Sequence, residues 1–284
     1  MPIVLPSPLI DAAALLRLQA AAGPLVVLDC SFDLADPQAG ERAFAAAHLP
    51  RAQYAHLDRD LSGPKTGRNG RHPLPARAAF AATAGRWGIA PGVPVVCCDA
   101  QGGPYAARAW WLLRWLGHAQ VAVLDGGPAA WAAAGGALVA GAPATDAAPL
   151  PPYPALPPAM PTIDAAGLLA VLRRRPVLDA RAPERFRGEV EPLDPVAGRI
   201  PGAHNRNFRD NLGPDGRFKP APQLRAEFGA LGGAPADWVH QCGSGVTACH
   251  NLLAMEQAGL TGSALYPGSW SEWCADPSRP VARG

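Results

Sequence analysis

Residues 238–250 read WVHQCGSGVTACH. A short β-friendly run leads into a cysteine, two glycines and small residues follow, and a helical pattern takes over. The spacing predicts a strand over 237–241, a loop over 242–247 and a helix from about Ala248 through Met255. In an open parallel α/β sheet, functional groups gather beyond the carboxyl ends of the strands, which is where this order puts Cys242. Gly243 and Gly245 let the backbone turn its N–H groups inward, and Ser244 and Thr247 offer hydroxyl donors or helix caps. Inward amides and the positive end of a helix favour an anion held between them. A thiol with an ordinary pKa of ~8.5 is lowered in such a place. The loop is therefore expected to cradle an ionised, nucleophilic sulfur.

Working outward, the chain says most things twice. PLVVLDC at 24–30 returns as RPVLDAR at 175–181, and HLPRAQ at 48–53 as RIPGAH at 199–204. VPVVCCDAQGG at 93–103 parallels ADWVHQCGSG at 236–245, and VLDGGPAAW at 123–131 parallels ALYPGSWSEW at 264–273. Four correspondences in one order indicate a duplicated domain. In each half, short apolar strands alternate with helical patterns, which predicts an α/β fold of two tandem domains. Each would be an open, mainly parallel sheet with helices on both faces. The expected boundaries are 1–140 for the first copy and 162–284 for the second. Residues 141–161 join them with eight prolines, an extended segment that is either a mobile tether or an ordered strap along one domain.

The 284 residues suffice for one large domain or two ordinary ones without covalent staples. A net charge of +2 is too mild to imply nucleic acid or a membrane surface, and no apolar run reaches the ~18 residues of a membrane span. The start, MPIVLPSPLIDAAALL, lacks the pattern of a secretory signal. Six cysteines, at 30, 97, 98, 242, 249 and 274, form no regular framework and no C-x-x-C pair, so neither disulfides nor a metal are expected. Reduced thiols in a cytoplasmic protein, with no cofactor, fit this usage.

Two familiar uses of a cradled cysteine fail on the residues. A phosphatase loop carries an arginine six residues past the cysteine, and Ala248 stands there. A redox pair needs a second cysteine at 245, which is Gly245. A lone thiol in a neutral, roomy loop suits covalent carriage of a single atom such as sulfur.

The same residues carry a resemblance. CGSGVTA at 242–248, DARAPERFRGEVEP at 179–192, RIPGAHN at 199–205, GSWSEW at 268–273 and DAQGGPYAARAWWLLRWLGH at 99–118 resemble the tandem-domain sulfurtransferases of the rhodanese family. The likeness is greatest to the branch that takes sulfur from 3-mercaptopyruvate, and it spans essentially residues 5 to 280. It implies an active second domain and a degenerate first one, whose corresponding loop begins at Asp99 rather than a cysteine. It further implies a persulfide on Cys242, formed from a small-molecule donor and handed to a thiol or to cyanide, with thioredoxin one such thiol. Arg185 matches the arginine that grips the donor carboxylate, and Gly243, Gly245, Val246 and Thr247 line the loop around the donor. Ser244 matches a proton-relaying serine. His72 in GRHPLP and Asp58 in HLDRD match its first-domain partners, expected to reach across to it. From the residues alone, His72 is equally a member of a solvated basic loop with Lys65, Arg68 and Arg71. Asp29 and Asp179 recur in both copies and read as structural.

The chain also departs from the pattern. Asp194 stands where a second donor-binding arginine is common, and Arg199 where a histidine is usual. The alternative donor is thiosulfate, whose enzymes tend to place cations directly after the nucleophile; Gly243 and Ser244 are neutral, which favours 3-mercaptopyruvate. A non-catalytic persulfide carrier is the reading from another class.

Overall fold

A computed structural model describes residues 5, 8–21, 23–142 and 148–284. The chain forms two compact units that do not follow the sequence halves. The first is Met1–Leu61, Pro75–Ala159 and Pro214–Arg217; the second is Ser62–Leu74, Met160–Gly213 and Phe218–Gly284.

The first unit runs β1 (Leu9–Ile10), α1 (Ala12–Ala20), β2 (Val26–Asp29), α2 (Ala39–Ala46), β3 (Ala52–Tyr54) and α3 (Arg77–Arg86). It continues through β4 (Val95–Cys98), α4 (Pro104–Leu116), β5 (Val121–Leu124) and α5 (Gly127–Ala133). The strand order is β1-β5-β4-β2-β3, and every neighbouring pair is parallel. Leu15 of α1, Phe44 of α2 and Trp131 of α5 pack with Val27, Val96 and Ala122 on one side of the sheet. Strands so covered are apolar throughout rather than alternating, and Val26, Val27 and Leu28 are all buried.

The second unit holds α6 (Ala165–Val171), β6 (Val177–Asp179), α7 (Pro183–Arg187), β7 (His204–Asn205) and α8 (Ala221–Gly229). Then come β8 (Val239–Gln241), α9 (Thr247–Gln257), β9 (Ala264–Leu265) and α10 (Ser269–Trp273). Its parallel strands lie in the order β7-β6-β8-β9. An isolated parallel bridge from Thr162 to Leu265 adds the place that β1 fills in the first unit. The two orders are thus the same once matched by position in the repeat. One face of the sheet is covered by α6 and α10 through Leu168, Trp270 and Trp273. The other is covered by α8 and α9 through Leu224, Phe228, Ala254 and Met255.

The structure adds a repeat that the motif comparison passed over. Ile-Asp-Ala-Ala occurs at 10–13 and 163–166. In both copies the aspartate caps the following helix, Asp11 accepting from Ala14 N–H and Asp164 from Gly167 N–H, each at 2.7 Å.

The described part of the proline-rich segment is a strap on the first unit. Leu150 and Tyr153 donate backbone N–H groups to Gly85 and Ala81 of α3 at 2.8 and 2.9 Å. Arg77 Nη2 donates to the Leu156 carbonyl at 2.7 Å, and the buried Tyr153 hydroxyl meets His118 Nδ1 at 3.1 Å. Each anchor satisfies a backbone or side-chain polar group that proline neighbours could not have paired in a ladder. The second unit then takes up the chain at Met160.

Candidate active site

The 238–250 stretch folds as strand, loop and helix, with β8 ending at Gln241 and α9 starting at Thr247. Cys242 Sγ accepts the N–H of Gly245 at 3.1 Å. Gly245 has φ +78°, and a Cβ there would lie 2.2 Å from the Pro267 carbonyl oxygen, so no larger residue fits the turn. The loop is clamped from the other side by the GSWSEW turn. Cys242 N–H donates to Ser269 Oγ at 3.1 Å, while Trp270 and Ser271 N–H groups donate to the carbonyls of Cys242 and Gly243 at 3.0 and 2.9 Å. The sulfur is nearly enclosed: Cys242 is 2% exposed.

The segment 62–74 belongs to this unit although it lies in the first half of the sequence. Gly70 at φ +86° packs so closely on Gly268 that a Cβ would sit 2.7 Å from its carbonyl oxygen. Arg71 N–H donates to Ser271 Oγ at 3.0 Å. Pinned there, the buried His72 turns Nδ1 to within 2.7 Å of Ser244 Oγ. The Ser244 hydroxyl therefore serves His72 rather than a helix end, and α9 begins at its N-cap residue Val246 with no side-chain cap, Thr247 included. Asp58 lies in the first unit, in the turn after β3, where its backbone N–H donates to His56 Nδ1 at 3.1 Å.

Beside the loop runs a chain of alternating charges. Asp179, at the end of β6, accepts the Arg181 guanidinium at 2.7 Å and the Arg181 N–H at 2.9 Å. Arg181 also meets Glu191 at 3.4 Å and lies over the Trp270 ring at 4.9 Å. Burial depresses the Arg181 pKa, but Asp179, then Glu191 and Cys242, outweigh it and leave it raised. Glu191 accepts Arg185 Nη2 at 2.6 Å, and Asp194 approaches the same nitrogen at 3.6 Å. Asp194 accepts Arg71 as well. Both arginines overhang the nucleophile loop: a Cβ on Gly243 would lie 3.6 Å from each Arg185 Nη and 2.8 Å from Arg71 Nη2.

The second unit thus brings together Cys242, Gly243, Ser244, Gly245, Val246, Thr247, Arg185 and His72 from the expected set. Sequence reasoning missed Arg181, whose signal was its place two residues after a strand-ending aspartate. Arg71 entered that reasoning only as one charge of a basic loop around His72. The positions after Cys242 are neutral in sequence yet stand under two guanidinium groups. All six cysteines are free thiols, and no helix among the described residues is long and apolar enough to cross a membrane.

Comparison with known proteins agrees with this frame. The rhodanese-like domain matches residues 11–134 and again 164–276. The chain belongs to the rhodanese family as a tandem two-domain member. It is 53% identical over 268 residues to a probable 3-mercaptopyruvate sulfurtransferase of Pseudomonas aeruginosa, covering 92% of this chain and 93% of that protein. It is 40% identical over 282 residues to the putative thiosulfate sulfurtransferase SseB of Mycobacterium tuberculosis, covering 97% of each. A solved structure of 3-mercaptopyruvate sulfurtransferase from Leishmania major superposes with a TM-score of 0.84 at 29% identity, covering 96% of this chain and 75% of that one.

Proposed function

We propose that this chain is a 3-mercaptopyruvate sulfurtransferase that carries sulfur as a persulfide on Cys242. The observation that supports it most is the enclosed Cys242 sulfur, met by the loop amide of Gly245, with Arg185 beside the adjacent Gly243. The Cys242 thiolate attacks the donor sulfur; the S–S bond forms as the donor C–S bond breaks, and the electrons leave with pyruvate enolate. The proton on the incoming sulfur passes to the enolate carbon, yielding pyruvate and a Cys242 persulfide anion. Ser244 and His72, 2.7 Å apart, are placed to relay that proton. An acceptor thiolate or cyanide then takes the outer sulfur and returns Cys242 to the thiolate. Arg185 binds the donor carboxylate through the edge of its guanidinium that Glu191 leaves open, and the loop residues Gly243, Gly245, Val246 and Thr247 shape the donor pocket. Its setting is the cytoplasm, where acceptor thiols such as thioredoxin stay reduced.

The test is mass spectrometry of the protein after exposure to each donor, with kcat/KM measured for both. A single added sulfur on Cys242 and a preference for 3-mercaptopyruvate are expected. A clear preference for thiosulfate overturns the donor; absence of pyruvate release and of thiocyanate formation from any donor overturns the enzyme in favour of a non-catalytic persulfide carrier.

A further inference from the structure

Position 194, where a second donor-binding arginine is common, holds an acid. Taken alone, that exchange should weaken the carboxylate grip. The Asp194 side chain is only 3% exposed, and it accepts the guanidinium of Arg71 while standing 3.6 Å from Arg185 Nη2. One carboxylate therefore yokes two cations. Their own side chains keep 26% and 17% exposure, so both cations are more open to solvent than the acid between them. Asp194 holds Arg71 through Nη1, and Glu191 holds Arg185 through Nε and Nη2. Among the described residues no hydrogen bond engages Arg71 Nη2 or Arg185 Nη1; a Cβ on Gly243, next to the nucleophile, would lie 2.8 Å from the first, which crowds it, and in ordinary contact at 3.6 Å from both Nη atoms of Arg185. A guanidinium carries five donors in a fixed fork, and donors left over beside a reactive sulfur suit an anionic group of the donor.

We propose that Arg71 is the second carboxylate-binding cation of the donor pocket, with Asp194 as its positioning residue. The cation absent from position 194 is thus supplied by the 62–74 segment and drawn to the site by the acid that took its place. This rests on the proposed 3-mercaptopyruvate activity. The substrate class it selects is a thiol donor with a carboxylate beside its carbonyl, such as 3-mercaptopyruvate, over the same thiol without it.

The experiment compares 3-mercaptopyruvate with mercaptopropanone, its carboxylate-free analogue, in wild type, Arg71→Ala, Arg71→Lys and the charge-swapped double variant Arg71→Asp/Asp194→Arg. For Arg71→Ala, the ratio of kcat/KM between the two donors should fall about ten- to a hundredfold, with the loss in KM for 3-mercaptopyruvate. Arg71→Lys should lie between, since it keeps the charge and loses the fork. The double variant restores the ion pair but sets an acid beside Gly243 and the arginine inside, so the ratio should stay low; its recovery would mean that the pair acts only as a structural link and would overturn the role of Arg71. An unchanged ratio in a folded Arg71→Ala, or equal losses on both donors, overturns the role of Arg71 while leaving the donor reading intact. A wild-type protein that consumes no 3-mercaptopyruvate overturns the donor reading itself.

Discussion

The loop that starts at Asp99 in the first unit and the loop that starts at Cys242 in the second occupy the same place in the repeat. Each follows the central strand of its sheet and leads into a long helix, α4 in one and α9 in the other. In the first unit the Asp99 carboxylate turns into its own loop. One oxygen accepts the N–H groups of Gln101 and Gly103 at 2.9 and 2.8 Å; the other accepts those of Tyr105 and Ala106 at 2.9 and 2.8 Å. The residues matching those four donors in the second unit are Ser244, Val246, Ala248 and Cys249. There the occupant is a sulfur that receives the Gly245 N–H. Backbone N–H groups thus meet the first residue of the loop in both copies, four of them in the first unit and the Gly245 N–H in the second. In one, the acceptor is a fixed carboxyl of the chain; in the other, the place is taken by the Cys242 sulfur, which in the proposed reaction takes on a further atom.

Replacing the occupants breaks this comparison most directly. Cys242→Ser should lower turnover by about a thousandfold or more, since a hydroxyl neither ionises here nor forms a persulfide. Pyruvate release and the mass of the protein after donor treatment read it out. A variant keeping a tenth of wild-type activity removes Cys242 from the chemistry. Asp99→Ala should instead cost stability, roughly 2–4 kcal/mol, because four buried amides lose their acceptor. Urea unfolding measures it, and sulfur loading of Cys242 in the folded fraction should persist. An unaltered unfolding midpoint would mean the four bonds are incidental.

Arg185→Ala sharpens the contrast. The Asp99 loop supplies its own negative charge and needs no cation at its mouth, whereas the Cys242 loop must attract an anionic donor. The expected effect is a rise in KM for 3-mercaptopyruvate worth about 1.5–3 kcal/mol. Steady-state kinetics that leave both KM and kcat unchanged would take Arg185 out of the pocket.

Much of this was legible because it is local in sequence. Strands β2 and β6 announce themselves as short β-branched runs ending in aspartate, and the loop carries its glycines next to its cysteine. Arg185 lies in a contiguous motif with Glu191. Arg71 was not legible, because its meaning depends on contacts with Ser271 and Asp194, far along the chain. Lys65, Arg68 and Arg71 look alike until a tight glycine turn at Gly70 sets one of them against the site. His72 was assigned from the family likeness alone; its residue context suggested a solvated loop. The proline-rich segment gave two readings, since composition specifies an extended backbone but not what its few free N–H groups will find.

The strands beneath the two loops differ as well. Where β4 has Cys97 and Cys98, β8 has His240 and Gln241. All four are buried, yet among the described residues neither ring nitrogen of His240 has a hydrogen-bond partner. Burial alone drives the His240 pKa down from its ordinary value to about 3. In the unfolded chain the ring takes a proton near pH 6.5, so below that pH the unfolded state binds a proton that the folded state refuses. Stability attributable to His240 is complete above pH 6.5 and drains away as pH falls toward 3, by about 1.4 kcal/mol for each full unit between. His240→Cys, which gives the second unit the residue of the first, should flatten this acid limb and leave neutral-pH stability equal or higher, because an unpaired buried polar group is removed. Urea midpoints for wild type and variant at pH 7 and pH 4.5 decide it: a gap that widens on acidification is expected, and parallel curves would show that the ring is solvated or paired in solution.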